Sequence, residues 1–156
     1  MEKNLKMIST VCYIINGDKV LMLHRSKEEG LGNKQFYRGL GGKAEQGESP
    51  IDCIKREVKE ESGLDINPIW KGIATFSKAS EIDWEAHVFI ATKFSGEIID
   101  SLEGELHWIS KSELLNLDMP EGDKKLLPLL FEESKFHAHL KYDDYKNLVS
   151  LKVDTL

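Results

Sequence analysis

Short apolar runs punctuated by polar or glycine-containing breaks occupy most of this chain, and each pattern predicts an element. Residues 7–15 and 20–24 flank Asn16-Gly17-Asp18-Lys19, which predicts strand, tight turn, strand, because both Asn and Gly tolerate positive φ. Residues 26–38 are polar and contain glycines, and read as an exposed loop. Residues 39–48 form a glycine-dense turn region leading to Ser49-Pro50, an N-cap followed by proline at the first helical position. The helix then runs to about Ser62 and stops at Gly63, a suitable C′ residue. Beyond it, residues 66–77, 84–94 and 106–109 are β-rich, with Ser95-Gly96 as a turn. Residues 110–117 and 123–133 read as short helices, and 136–142 with 148–153 as a closing pair of strands. One strong helix among several strands, with no repeat, low-complexity tract or Pro/Ser-rich linker, predicts a single mixed α/β layered domain spanning residues 1–156.

The helix over 50–62 carries the chemistry. At ~100° per residue, Glu57, Glu60 and Glu61 share one face, while Lys55 and Lys59 fall roughly opposite. Ile51, Ile54 and Val58 form the apolar stripe expected to dock on the sheet, beside the glutamates. Like charges at i,i+4 destabilise an isolated helix by roughly 0.2–0.5 kcal/mol, so a cation would relieve the cluster. Hard oxygen ligands of this kind suit Mg²⁺, or Mn²⁺, which keeps waters and bridges to phosphate oxygens. Taken alone, the helix is also compatible with a solvated acidic surface.

Charge and composition narrow the classes. The 21 basic and 27 acidic residues give a net charge of −6, with no basic stripe for a polynucleotide. No apolar run approaches the ~20 residues of a membrane-spanning helix, and the first residues lack the apolar core and cleavage site of a signal peptide. Only Cys12 and Cys53 occur, without CxxC or zinc spacing, so a reduced cytoplasmic setting is expected. The five histidines show no HExxH or paired ligand spacing. An anionic substrate would need something other than net charge to attract it, and a metal ion supplies that.

From Gly42 the chain reads Gly42, five residues, Glu48, seven residues, then Arg56-Glu57-Val58-Lys59-Glu60-Glu61-Ser62-Gly63-Leu64. This resembles, without gap or substitution, the signature of the Nudix hydrolase family, G-x5-E-x7-R-E-U-x-E-E-x-G-U with U aliphatic. The resemblance implies an α/β/α sandwich with a mixed β-sheet and a loop–helix–loop catalytic segment that hydrolyses a phosphoanhydride bond. It also implies metal coordination by the Gly42 carbonyl and by Glu57, Glu60 and Glu61, and a structural pair between Arg56 and Glu48, whose guanidinium can grip a carboxylate bidentately.

Outside the signature, residues 20–25, 39–43, 84–89 and 123–137 look similar to the MutT-like subgroup that removes oxidised purine triphosphates. That likeness places Arg25 and Lys43 near the substrate phosphates and Glu103 as a further metal ligand or general base, with Glu105 as a nearby competitor. It places Trp84 against the base and Asp123 at the purine edge; on residues alone, Asp123 reads as a helix N-cap and Trp84 as a strand-start tryptophan packed on the sheet. Arg38 stands where the subgroup carries a base-reading Asn, and Pro120 where it often carries an aromatic residue.

The resemblance implies an Mg²⁺-dependent nucleoside triphosphate pyrophosphohydrolase, converting 8-oxo-dGTP to 8-oxo-dGMP and pyrophosphate in nucleotide pool sanitation. Alternatives are a Nudix hydrolase of another nucleotide (an ordinary or pyrimidine triphosphate, a pterin triphosphate, a nucleoside diphosphate derivative) or a non-catalytic nucleotide sensor. A sensor would commonly have lost a signature glutamate, and none is missing here.

Overall fold

In the computed structural model, residues 7–24, 36–78, 84–99 and 104–156 are described. The Asn-Gly turn closes an antiparallel hairpin between β1 (Met7–Asn16) and β2 (Lys19–His24), with Asn16 opposite Lys19. After β3 (Tyr37–Arg38) comes α1 (Pro50–Ser62). The Ser49 side chain accepts from the Asp52 N–H at 3.1 Å, and Gly63 takes the left-handed conformation (φ 82°) that lets its N–H return to the Lys59 carbonyl.

The strand expected over 66–77 is broken. Asp65–Ile66 (β4) pairs with Phe94–Ser95 (β7) in a small separate ladder. Asn67-Pro68 then interrupts it, since proline has no N–H for a ladder, and β5 (Ile69–Lys78) begins afresh. β6 (Trp84–Ala91) and β8 (Glu105–Ser110) follow. A 3-10 segment (Lys111–Asn116), α2 (Glu121–Leu126) and a second 3-10 segment (Leu127–Phe131) lead to β9 (Phe136–Tyr142) and β10 (Leu148–Thr155). Most of the loop expected over 26–38 lies outside the described residues, and its end, Tyr37–Arg38, is strand.

The large sheet runs β10-β9-β5-β6-β1-β2-β3, with β8 also on β2. β1 with β6 and β5 with β9 are parallel, while the other pairs are antiparallel, so the sheet is mixed.

β1 shows how the sheet serves two cores. Its side chains alternate: Cys12 and Ile14 join Leu40, Ile54, Val58 and Phe89 beneath α1, while Tyr13 and Ile15 join Val88, Leu126, Leu127 and Leu140 beneath α2. The stripe that α1 buries is Cys53, Ile54 and Val58; Ile51, expected to dock, is 48% exposed. In the first turn of the helix the small Cys53 takes the inner position, its thiol 3.3 Å from Thr10 Oγ1 of β1. No helix among the described residues is long and apolar enough to cross a membrane.

Candidate active site

The first cluster grows from the glycine-rich segment. β2 pairs with only the last residues of β1, leaving the earlier edge of β1 free. Residues 40–44 occupy it: Cys12 and Leu40 exchange hydrogen bonds, Thr10 N–H donates to the Gly42 carbonyl at 2.8 Å, and Ala44 N–H donates to Ile8. So close an approach demands glycine at 41, where φ is 153° and a Cβ would run into the Thr10 carbonyl oxygen. At Gly42 a Cβ would meet the Glu57 carboxyl at 2.6–2.8 Å. The missing side chain is therefore the space in which that carboxyl sits.

Facing this segment, α1 presents its glutamates in three settings. Glu61 is buried, 3% exposed, and its Oε1 accepts the Gly41 N–H at 2.8 Å. The Glu57 side chain is largely covered and accepts from Arg56 Nη1 at 3.0 Å. Glu60 is exposed and receives a longer contact from the same nitrogen, 3.4 Å. Arg56 itself is locked by a bidentate fork onto Glu48, Nε–Oε2 2.8 Å and Nη2–Oε1 2.9 Å, and also donates to the Lys43 carbonyl. That fork, with the Glu45 N–H, pulls the Glu48 carboxyl down to about 2, and Glu48 in turn raises the Arg56 guanidinium further above its usual range. Arg56 is thus a permanent cation pinned by one carboxylate outside the cluster and spread over two within it. Thr10 Oγ1 and the Cys53 thiol also lie on the Gly42 carbonyl, at 3.1 and 3.6 Å, and burial raises the pKa of that thiol.

The donor set is all oxygen, which suits a hard divalent cation. No three His, Cys, Asp or Glu side chains among the described residues already converge as a ready-made cage. An Mg²⁺ ion that keeps several waters needs only one or two carboxylates plus substrate phosphate, so the residues present fit it. Arg25 and Glu103 lie outside the described residues.

The second cluster forms on the other face. Asp123 was expected to cap a helix if it had no other role; instead α2 starts two residues earlier, at Glu121, with Pro120 before it and no side-chain cap. Asp123 therefore points from the first turn into the protein, where burial pushes its carboxyl up to about 6 against the pull of Arg38. The same carboxylate, added to burial, raises the Tyr13 phenol and brings Tyr142 up to about 12. Arg38 Nε is buried without a hydrogen-bond partner, the one such side-chain atom among the described residues. Trp84 opens β6 at 42% exposure and donates from Nε1 to Ser9 Oγ at 2.6 Å. Phe76 links it to Tyr142, with centroids 5.7 and 6.2 Å away, so three aromatic rings form a row.

The structure therefore brings together Gly42, Glu48, Arg56, Glu57, Glu60 and Glu61, with Lys43 contributing its carbonyl while the side chain is exposed. Separately it brings Arg38 to Asp123, and Trp84 stands on the same face of the sheet through Phe76 and Ser9. Tyr13, Phe76 and Tyr142 were missed, because each reads locally as an ordinary strand residue. Strand register alone puts them on a common face: Phe76 is opposite Trp84 in β5–β6, and Tyr142 closes the β5–β9 ladder.

Comparison with known proteins identifies the family. The NUDIX domain family model matches residues 5–130. The chain is 32% identical to the Bacillus subtilis protein described as uncharacterized Nudix hydrolase YvcI, covering 93% of this chain and 92% of that one. It is 29% identical to the oxidized purine nucleoside triphosphate hydrolase of Mus musculus, covering 90% of each. Among solved structures, a MutT protein from Bacillus halodurans superposes with a TM-score of 0.81 at 32% identity, covering 95% of this chain and 97% of that chain. With its signature folded into a loop–helix–loop on a mixed sheet, this chain belongs to the Nudix family, among the MutT-like phosphoanhydride hydrolases.

Proposed function

We propose that this chain hydrolyses oxidised purine nucleoside triphosphates, 8-oxo-dGTP foremost, to the nucleoside monophosphate and pyrophosphate, in the cytoplasm and with Mg²⁺ as its metal. The observation that carries the reading is the carboxylate face of α1, held against Gly41 and Gly42 by the Gly41 N–H on Glu61 and by Arg56 on Glu48 and Glu57. Nudix hydrolases use divalent ions; Glu57, Glu60, Glu61, the Gly42 carbonyl and Glu103 would hold them here. Once bound, such ions neutralise phosphate charge and activate an in-line water.

The protein's own groups do the rest. Glu61 or Glu103 takes the proton of the attacking water. Arg56 keeps Glu57 and Glu60 from splaying apart under mutual repulsion. Arg25 and Lys43 steady the phosphate oxygens. On the α2 face, Trp84 supplies a flat apolar surface for the base, and Asp123 with Arg38 offers an acceptor and a donor to a purine edge. The relatives named for oxidised purine triphosphates support this substrate.

A second reading keeps the reaction and changes the base. Arg38 and Pro120 both depart from the subgroup pattern, and Arg38 is the residue with the unpartnered buried Nε. Incubation with Mg²⁺ and a panel of ordinary and oxidised nucleotides, with identification of the phosphate product, separates the readings. Preferred release of pyrophosphate from 8-oxo-dGTP is expected. Preference for another nucleotide class overturns the substrate, and no turnover of any overturns the activity.

A further inference from the structure

β10 is the outer strand of the large sheet, pairing with β9 and, among the described residues, with no other strand. Its register fixes which backbone groups remain free. Leu156 N–H donates to the Lys135 carbonyl, and the pairing steps back through Thr155–Phe136, Asp154–His137, Val153–Ala138 and Lys152–His139. Hydrogen-bonded pairs alternate along an antiparallel ladder. Lys152 and Asp154 therefore turn their backbone toward β9, whereas Leu151, Val153 and Thr155 turn N–H and C=O outward. Such an edge is a template for another strand, and this one carries exposed apolar side chains: Val149 at 61%, Val153 at 39% and Leu151 at 38%.

We propose that this edge is where two copies of the chain associate, their β10 strands pairing antiparallel about a two-fold axis through Val153. The occupant follows from the charges. With the axis at Val153, Val153 faces its counterpart, Leu151 faces Thr155 of the second copy, and every outward backbone group of the three residues finds a partner. Lys152 then lies directly opposite Asp154 of the second copy, twice by symmetry, in the non-hydrogen-bonded positions where side chains approach most closely. Moving the axis one residue in either direction keeps hydrogen bonding possible but sets Lys152 against Lys152, or Asp154 against Asp154. The strand is thus complementary to itself in one register and repulsive in the two adjacent ones.

The two faces of the edge are consistent with this. Among the described residues Asp154 makes a long charged contact, 3.8 Å, to His139, and both Lys152 and Asp154 are exposed. On the other face, Leu151 and Val153 lie beside Leu140 and Ala138 of the α2-side core, so pairing extends that apolar surface across the two-fold axis.

Sedimentation equilibrium of the full chain tests this. An edge contact of this kind falls in the weak class, below about 1,200 Å², so a reversible dimer with a Kd on the order of 10–100 µM is expected. Lys152→Asp alone, or Asp154→Lys alone, should raise Kd at least about tenfold by creating two like-charged pairs. The double swap Lys152→Asp/Asp154→Lys should restore the dimer. Val153→Pro removes an outward N–H and no β9 bond, so it should give a monomer that still unfolds cooperatively on heating. A monomer at every concentration up to about ten times that Kd overturns the proposal. So does a dimer indifferent to the single swaps, or one that the double swap fails to restore.

Discussion

On the α1 side of the sheet, the described groups assigned to metal and phosphate come from residues 41–61, one unbroken stretch of chain. On the α2 side, the groups assigned to the base come from β3, β6 and α2, with their neighbours Tyr13, Phe76 and Tyr142 on β1, β5 and β9. The surroundings differ as well. The α1 carboxylates are held by a cation and a backbone N–H; Asp123 is half-buried and, among the described residues, lacks such a grip, its carboxyl pushed up to about 6 by desolvation. On the proposed reading, the reaction centre is written into one local segment whose parts stabilise one another, whereas the surface for the base is assembled from distant residues and keeps a polar group at some cost to the fold.

The largest effect expected from breaking that contrast is at Glu60. Because its side chain is exposed, Glu60→Gln should leave the melting temperature unchanged while kcat falls on the order of 10²–10³-fold, the scale for losing one preorganised charge-stabilising group. Initial rates beside a thermal melt check both halves, and normal activity would refute the metal assignment.

Next comes Arg56→Lys, which keeps the charge and loses the fork onto Glu48. The Mg²⁺ concentration for half-maximal rate should rise by roughly 10–100-fold, as for lost supports of metal ligands. A magnesium titration at saturating nucleotide reads this.

The two glycines then separate fold from site. Gly41→Ala places a Cβ against the Thr10 carbonyl at φ 153° and should destabilise the protein by about 1–3 kcal/mol. Gly42→Ala meets only the end of the Glu57 side chain, which can swing away. It should unfold like the parent and lose about tenfold in kcat, because a displaced carboxylate is a misplaced one. Chemical denaturation and steady-state rates distinguish them.

The smallest effect has opposite signs in stability and function. Between about 3.8, the ordinary Asp value, and about 6, the native state holds a proton on Asp123 that the unfolded chain has released, so stability from this group falls as pH rises through that window. Asp123→Asn removes the titration. It should stabilise the protein by about 1–3 kcal/mol above pH 6 and by little below pH 4, while kcat/KM for a purine triphosphate drops about tenfold. Melts across pH and rates at neutral pH check the pair.

What could be read from the chain alone follows the same division. The α1 cap, the Gly63 stop and the glutamate face all depend on contacts within a few turns, and spacing encodes them directly; the Arg56–Glu48 pair is implied by the family resemblance and is made across the same short stretch. Ile51 misled because a wheel built on apolar residues does not show which arc of the helix docks; the buried arc runs through Cys53, Ile54, Val58 and Glu61, and Ile51 is left 48% exposed. Asp123 looked like a cap because Asp before a helix commonly is one, yet Pro120-Glu121 starts the helix first. Tyr13, Phe76 and Tyr142 carry no local signal, since their meeting depends on strand order and register that pair residues far apart in sequence.

Mn²⁺ titration followed by electron paramagnetic resonance, on the parent and on Glu60→Gln with a non-hydrolysable triphosphate present, bears most directly on the claim that the α1 glutamates are a cation site. The parent should bind Mn²⁺ at least about tenfold more tightly than the variant, as expected when a ligand carboxylate is lost. Equal binding by the two proteins would contradict it.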